Sequence, residues 1–293
     1  TSVPVTLGQE LGFDDFQVSR AGVLIHRSGA NRGSLLGETL AWVDRAGEVD
    51  VIDERLAADI GDFDDLRLSP DGRYIAYELQ RGADGSASSS QRIQIYDLEQ
   101  GTNVQLTFEG RLNTRPRWMA DGRVAYISDE GGEPAIYAQP FDRSGASQLL
   151  AALPDSLRVI DFEVPRQQGL PFVLVVEHPA LGHSGLVLLD PNEPDAELRP
   201  FVDTPFSEIN PAVSPDGRWI AYASDESDRF EVYVRAFPDG GRPWPISDEE
   251  SRKPVWSPNG REVIYLTDDR FVARALTLGD EVRVTGREDL FEN

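Results

Sequence analysis

The chain of 293 residues has no cysteine, a single methionine (Met119), a single lysine (Lys253) and three histidines. Without cysteine there are no disulfides and no thiolate metal sites, and the redox compartment leaves no trace in the sequence. No apolar run approaches the ~18 residues of a membrane helix and no signal-peptide pattern is present, so direct membrane insertion is not expected. Helical periodicity is missing throughout. Positive charge is scarce: 28 Lys and Arg face 51 Asp and Glu, and a net charge of −23 repels phosphate backbones, so nucleic acid is not an expected partner. Catalytic constellations are thin. His26 falls in a strand-like run, and Gly182-His183-Ser184-Gly185 lacks the final glycine of a nucleophile elbow. The first residue is Thr1 rather than methionine, from which a processed protein or a piece of a longer one is expected.

What the chain does have is a recurring word. Ser69-Pro70-Asp71-Gly72-Arg73, Ala120-Asp121-Gly122-Arg123, Ser214-Pro215-Asp216-Gly217-Arg218 and Ser257-Pro258-Asn259-Gly260-Arg261 each precede an alternating apolar run. Asp-Gly and Asn-Gly between such runs signal hairpins, because both residues tolerate the positive φ of a tight turn. The turn glycines lie 50, 95 and 43 residues apart, and the gap of 95 holds a worn copy ending at Gly169. Another copy ends at Gly22, 50 residues before Gly72. Six copies of roughly 43 to 50 residues, each with four short strands, predict an all-β, six-bladed β-propeller in which stacked sheets bury what none can bury alone.

The expected blades are 16–52, 66–108, 116–151, 162–202, 211–247 and 254–291, forming one domain over residues 1–293. The fifth reads most plainly, with strands Pro211–Ser214, Trp219–Ser224, Glu231–Phe237 and Arg242–Ser247. Prolines gather at inner-strand starts and in outer strands, where a missing ladder donor is tolerated. Trp42, Trp118, Trp219, Trp244 and Trp256 read as packing between blades. Val3-Pro4-Val5-Thr6-Leu7 is expected to pair onto the third strand of the last blade and close the ring, removing its free edges.

Leu40-Ala41-Trp42-Val43-Asp44-Arg45-Ala46-Gly47, Leu68-Ser69-Pro70-Asp71-Gly72, Leu106-Thr107-Phe108 and the stretch from Thr204 to Pro238 carry a resemblance to the TolB-like, WD-repeat-like propeller family. They are closer still to the propellers found C-terminal to bacterial serine/threonine protein kinases. The resemblance implies a non-catalytic sensor or scaffold domain of a larger bacterial signalling protein, such as a receptor-like kinase, with a protein or peptide as partner. It also implies an extracytoplasmic, periplasmic or membrane-tethered location, and a monomeric isolated domain. Nothing of a kinase is in the chain itself. A second reading is the propeller that gates a prolyl-oligopeptidase-like peptidase.

Propellers bind at the axis and in the loops leading into the innermost strands. The residue before each expected inner strand lies seven positions before the turn glycine, eight in the worn fourth copy: Asp15, Asp65, Arg115, Asp161, Asn210 and Lys253. Their formal charges sum to −1 and unlike charges are neighbours around the ring. Such a collar either neutralises itself or recognises a peptide or zwitterion by both ends. In the loops around it, Phe13, Asp62, Phe63, Asp64, Phe206 and Glu208 suit a partner with basic and apolar groups. No cofactor is expected, although calcium has three candidate oxygen ligands in Asp62, Asp64 and Asp65.

Overall fold

The computed structural model describes residues 16–19, 22, 24–28, 39–52, 63–81, 90–154, 157–178, 182–193 and 198–292. Their strands make six four-stranded antiparallel sheets, and in each the strands lie side by side in chain order. The first and thinnest comprises β1 (Phe16–Val18), β2 (Leu24–Ser28), β3 (Thr39–Val43) and β4 (Val49–Val51). The second comprises β5 (Phe63–Leu68), β6 (Tyr74–Arg81), β7 (Ser90–Asp97) and β8 (Thr102–Gln105); the third, β9 (Asn113–Trp118), β10 (Arg123–Ser128), β11 (Ala135–Pro140) and β12 (Gln148–Ala152). The fourth holds β13 (Arg158–Glu163), β14 (Phe172–His178), β15 (His183–Leu189) and β16 (Arg199–Val202). The fifth holds β17 (Glu208–Val213), β18 (Trp219–Ser224), β19 (Glu231–Ala236) and β20 (Gly240–Pro245). The sixth holds β21 (Ser251–Trp256), β22 (Glu262–Thr267), β23 (Arg270–Leu278) and β24 (Val282–Glu292).

The recurring words join each first strand to its second, by a mechanism only half anticipated. Positive φ falls on the glycines alone, Gly72 at +79°, Gly122 at +84°, Gly217 at +71° and Gly260 at +66°. The preceding Asp acts through its side chain. The Ser69 hydroxyl donates to Asp71 Oδ1 at 2.5 Å, the Arg73 N–H donates to the same oxygen at 3.1 Å, and the Tyr74 N–H donates to Ser69 Oγ at 2.9 Å. Ser214 with Asp216, and Ser257 with Asn259, repeat the arrangement. Three of the four words therefore tie off the orphan donors of their turns with two side chains, while the Ala120 word, with Met119 in the serine position, uses Asp121 alone, which accepts from the Arg123 N–H at 3.1 Å.

Each apolar cluster spans two sheets rather than one. Leu40 meets Leu66 and Ile75 between the first and second sheets, and Ile93 meets Trp118 and Tyr126 between the second and third. Ile136 packs with Phe162 and Leu174, Val175 with Ile220 and Tyr233, and Val234 with Val263 and Tyr265. The series returns to its start where Phe16 and Val18 join Ile264 and Phe271. The innermost strands touch in the same cyclic order, β1 to β5, β9, β13, β17, β21 and back to β1. Trp118 and Trp256 add hydrogen bonds between sheets, their Nε1–H groups donating at 2.9 Å to the Arg67 and Ala212 carbonyls of the sheet before. The architecture is an all-β propeller.

Two expectations need correction. The free edge of β23 intended for Val3–Leu7 is occupied by β24, which pairs with it from Leu278↔Val282 to Arg270↔Glu292, so that strand order leaves no place there for another strand. The runs 281–284 and 288–291, read separately from sequence, belong to this one hydrogen-bonded stretch; residues 3–7 lie outside the described residues. The inner strands of the second to sixth sheets also begin earlier than expected, β17 at Glu208 rather than Pro211, which moves their collar residues from before the strand to within it; β1 begins at Phe16 as expected.

Candidate functional site: a channel mouth

The collar positions share one backbone distortion. In β5, β9, β17 and β21 the pairing register slips so that two residues oppose one: 65 and 66, 115 and 116, 210 and 211, 253 and 254. The first of each pair is left-handed: Asp65 at φ +47°, Arg115 at +58°, Asn210 at +51° and Lys253 at +54°. Left-handed backbone costs a residue with a Cβ about 1–2 kcal/mol, and Arg and Lys lack the local hydrogen bonding that eases it for Asn and Asp. Pro116, Pro211 and Pro254 take the second place, where the broken ladder asks for no donor. Opposite the four bulges stand Tyr77, Tyr126, Tyr222 and Tyr265, all buried. The worn fourth sheet has a single-residue slip at Ile160 and Val175 and Val176 across from it, with no tyrosine.

Two of the sequence-predicted collar residues, Asp65 and Asp161, are drawn together by a residue that was not predicted, and a third, Arg115, joins them through Asp65. Arg117, 3% exposed, sends Nη1 to Asp65 at 2.7 Å and Nη2 to Asp161 at 2.5 Å, and also donates to the carbonyls of Phe162 and Pro116. Arg67 reaches Asp65 at 2.8 Å and Arg115 reaches it at 3.3 Å. Burial alone would raise the Asp65 carboxyl, but the guanidiniums of Arg117, Arg67 and Arg115 outweigh it and hold the group well below the usual carboxylate range. Glu163, next along the channel wall, ends the other way. Burial pushes its carboxyl up to about 7 against the pull of Arg117 and Arg67. Arg67, Arg117 and Glu163 each stand two residues past a collar position, so alternation along the inner strand would have pointed to them; in the fifth and sixth sheets that place falls to Ala212 and Val255.

The rest of the predicted set is scattered. Phe206 is 40% exposed on its loop. Glu208 is not a surface acid: it is 1% exposed, accepts from the Thr204 hydroxyl at 2.5 Å and the Ser224 hydroxyl at 3.5 Å, and has Oε2 buried without a partner among the described residues. Burial lifts its carboxyl to about 7. Phe13, Asp15 and Asp62 lie outside the described residues; Phe63 and Asp64 open β5, and only their backbone is described. Asp65 is committed to arginines, which removes it from the calcium trio, and among the described residues no three acid or histidine side chains converge as a metal site.

Beside Arg115 the mouth opens into a cleft of about 640 Å³ between the second, third and fourth sheets. Ile127, Leu157, Val159 and Ile160 give it apolar walls, and Glu78, Glu133, Arg115 and Arg158 give it charge of both signs.

No protein-family model matches the chain. Among curated proteins it is 26% identical over 208 residues to the uncharacterized peptidase YuxL of Bacillus subtilis, covering 58% of this chain and 31% of that protein. It is 29% identical over 169 residues to the Tol-Pal system protein TolB of Bordetella pertussis, covering 57% of this chain and 35% of TolB. The chain thus matches about a third of the length of these relatives. The crystal structure of TolB from Acinetobacter baumannii superposes with a TM-score of 0.64 at 19% identity, over 95% of this chain and 62% of that one. Fold and sequence together support the resemblance to TolB-like propellers.

Proposed function

We propose that the chain is a single six-bladed ring over residues 1–293 that works as a non-catalytic binding platform, a sensor or scaffold within a larger bacterial signalling protein such as a receptor-like kinase. Its partner is a protein or peptide held at the channel mouth. The observation that carries this reading is the cleft beside Arg115, where apolar walls and charges of both signs meet at the one collar cation whose guanidinium also reaches a buried carboxylate. A partner placing an apolar residue against Leu157 and Ile160 would find complementary charge at either side. Among the described collar residues no carboxylate is left as a free general base: Asp65 and Asp161 are both engaged by Arg117. The test is site-specific photocrosslinking from position 157 in cells. A partner trapped there, lost with Arg115→Ala and not trapped from position 142 on a remote turn, supports the mouth; equal trapping at both positions refutes it.

A second reading rests on the peptidase YuxL, whose match covers 58% of this chain. On that reading the propeller screens the active site of an adjoining hydrolase. A parent gene encoding a Gly-x-Ser-x-Gly hydrolase domain beside this segment would favour it over the platform.

A further inference from the structure

The two sides of the mouth are not equivalent. Arg117 pairs with Asp65 and Asp161, and Arg115 pairs with Asp65, so both of these carboxylates are engaged within the chain. Asn210 and Lys253 occupy the same bulge in the fifth and sixth sheets, on adjoining inner strands, and carry the same left-handed backbone. Among the described residues neither side chain has a hydrogen-bond or ion-pair partner. The acids nearest Lys253 in the chain are already engaged: Asp248 by Arg274 at 2.6 Å, Glu249 by Arg287 at 2.8 Å and Glu250 by Arg252 at 2.8 Å. Lys253 is left with a half-buried ammonium that no described residue engages, at the bulge adjoining the one that carries the Asn210 amide.

We propose that Lys253 and Asn210 form a carboxylate-binding subsite, the place where an acidic side chain or a C-terminal carboxylate of the partner docks. At Asp65 and Arg115 the strain of the left-handed backbone is offset by an ion pair within the protein; at Lys253 no described residue offsets it, and strain of this kind is characteristic of sites that hold a group ready for a ligand. One ammonium and one amide match one carboxylate in charge and in donors. A phosphate dianion would leave a negative charge unmatched inside a chain of net charge −23. The walls below, Ala212 and Val255, bring no competing charge of their own. The subsite rests on the mouth being the binding face, and it fixes which end of the partner lies on this side.

Lys253 is the sole lysine, so lysine labelled with 13C at Cε gives a one-signal reporter in the intact chain. N-acetylglycine should shift that signal saturably at millimolar concentration, while N-acetylglycinamide, of the same shape without the charge, should leave it in place. Methyl phosphate should act at least several-fold more weakly. No saturable response to N-acetylglycine, an equal response to the amide, or tighter binding of methyl phosphate would each overturn the proposal. Lys253→Asn, which installs a residue tolerant of left-handed backbone, should keep or raise the unfolding midpoint. Asn210→Ala should weaken N-acetylglycine several-fold with the signal of Lys253 still readable. A marked loss of stability in Lys253→Asn would show that the lysine serves the fold instead, and would also overturn it. Photocrosslinking at position 157 that persists alongside a silent Lys253 defeats this subsite only; a saturable Lys253 response with no crosslinking at 157 defeats the cleft and spares the subsite.

Discussion

Glu208→Gln should stabilise the protein at alkaline pH and do little at acid pH. The carboxyl is buried under the start of the fifth inner strand, with two hydroxyl donors on one oxygen and none on the other. Burial is the main cause of its raised pKa, reinforced by the nearby Asp225 and Glu226 charges and opposed by the Thr204 and Ser224 hydroxyls. In the unfolded chain the group ionises near 4.5, in the folded protein at about 7. Between those values the native state holds the extra proton, so stability is lost as pH rises through that window, and the cost is fully developed above about 7. At ~1.4 kcal/mol per pH unit of separation, the ionised side chain costs the fold about 3 kcal/mol at pH 8. Glutamine imitates the protonated acid in shape and neutrality, and the extra N–H of its amide costs the same at both pH values, so the pH comparison isolates the charge. Urea unfolding of both proteins at pH 5 and pH 8 is the assay, with Glu163 present in each and cancelling. The variant's gain should be about 2–3 kcal/mol larger at pH 8. An equal effect at the two pH values would refute the account of Glu208 as a carboxyl held neutral by burial.

Other substitutions test the packing and the ion cluster. Arg117→Met should cost about 3 kcal/mol or more in urea unfolding, because it strips Asp161 of its guanidinium and Asp65 of its nearest one. Phe271→Ala should cost about 3–5 kcal/mol, since its ring lies 4.9 Å from Phe16 and 4.8 Å from Phe291 at the seam between first and sixth sheets. Arg45→Ala, at the same seam, removes ion pairs to Glu262 and Glu288 from a side chain 35% exposed and should cost no more than about 1 kcal/mol by thermal unfolding. Asp216→Ala breaks the fifth turn's links to Ser214 and Arg218 and should cost about 1 kcal/mol, read from the denaturation midpoint.

The turns were legible because Ser-Pro-Asp-Gly is a local device: its hydrogen bonds close within six residues, so sequence alone contains everything needed to read it. The collar was legible only as positions. Counting back from each turn glycine reaches Asp65, Arg115, Asn210 and Lys253, yet their conformation depends on a bulge set by the neighbouring strand, which counting does not see. A signal for it was present. A tyrosine follows the turn glycine by five residues in three copies and four in the other, at Tyr77, Tyr222, Tyr265 and Tyr126, and proline follows three of the four left-handed residues. A two-residue bulge facing one large ring is how these sheets place a side chain at the mouth while keeping alternation along the rest of the strand. The fourth sheet lacks both the tyrosine and the proline and, as that logic requires, makes only a one-residue slip. Arg117 was missed for a different reason. Its role comes from three sheets at once, with Asp65, Asp161 and the Phe162 carbonyl separated from it by 52, 44 and 45 residues. Partners that distant are set by the ring's curvature, so a residue can be the most connected group at the mouth and still look, in sequence, like one arginine among many.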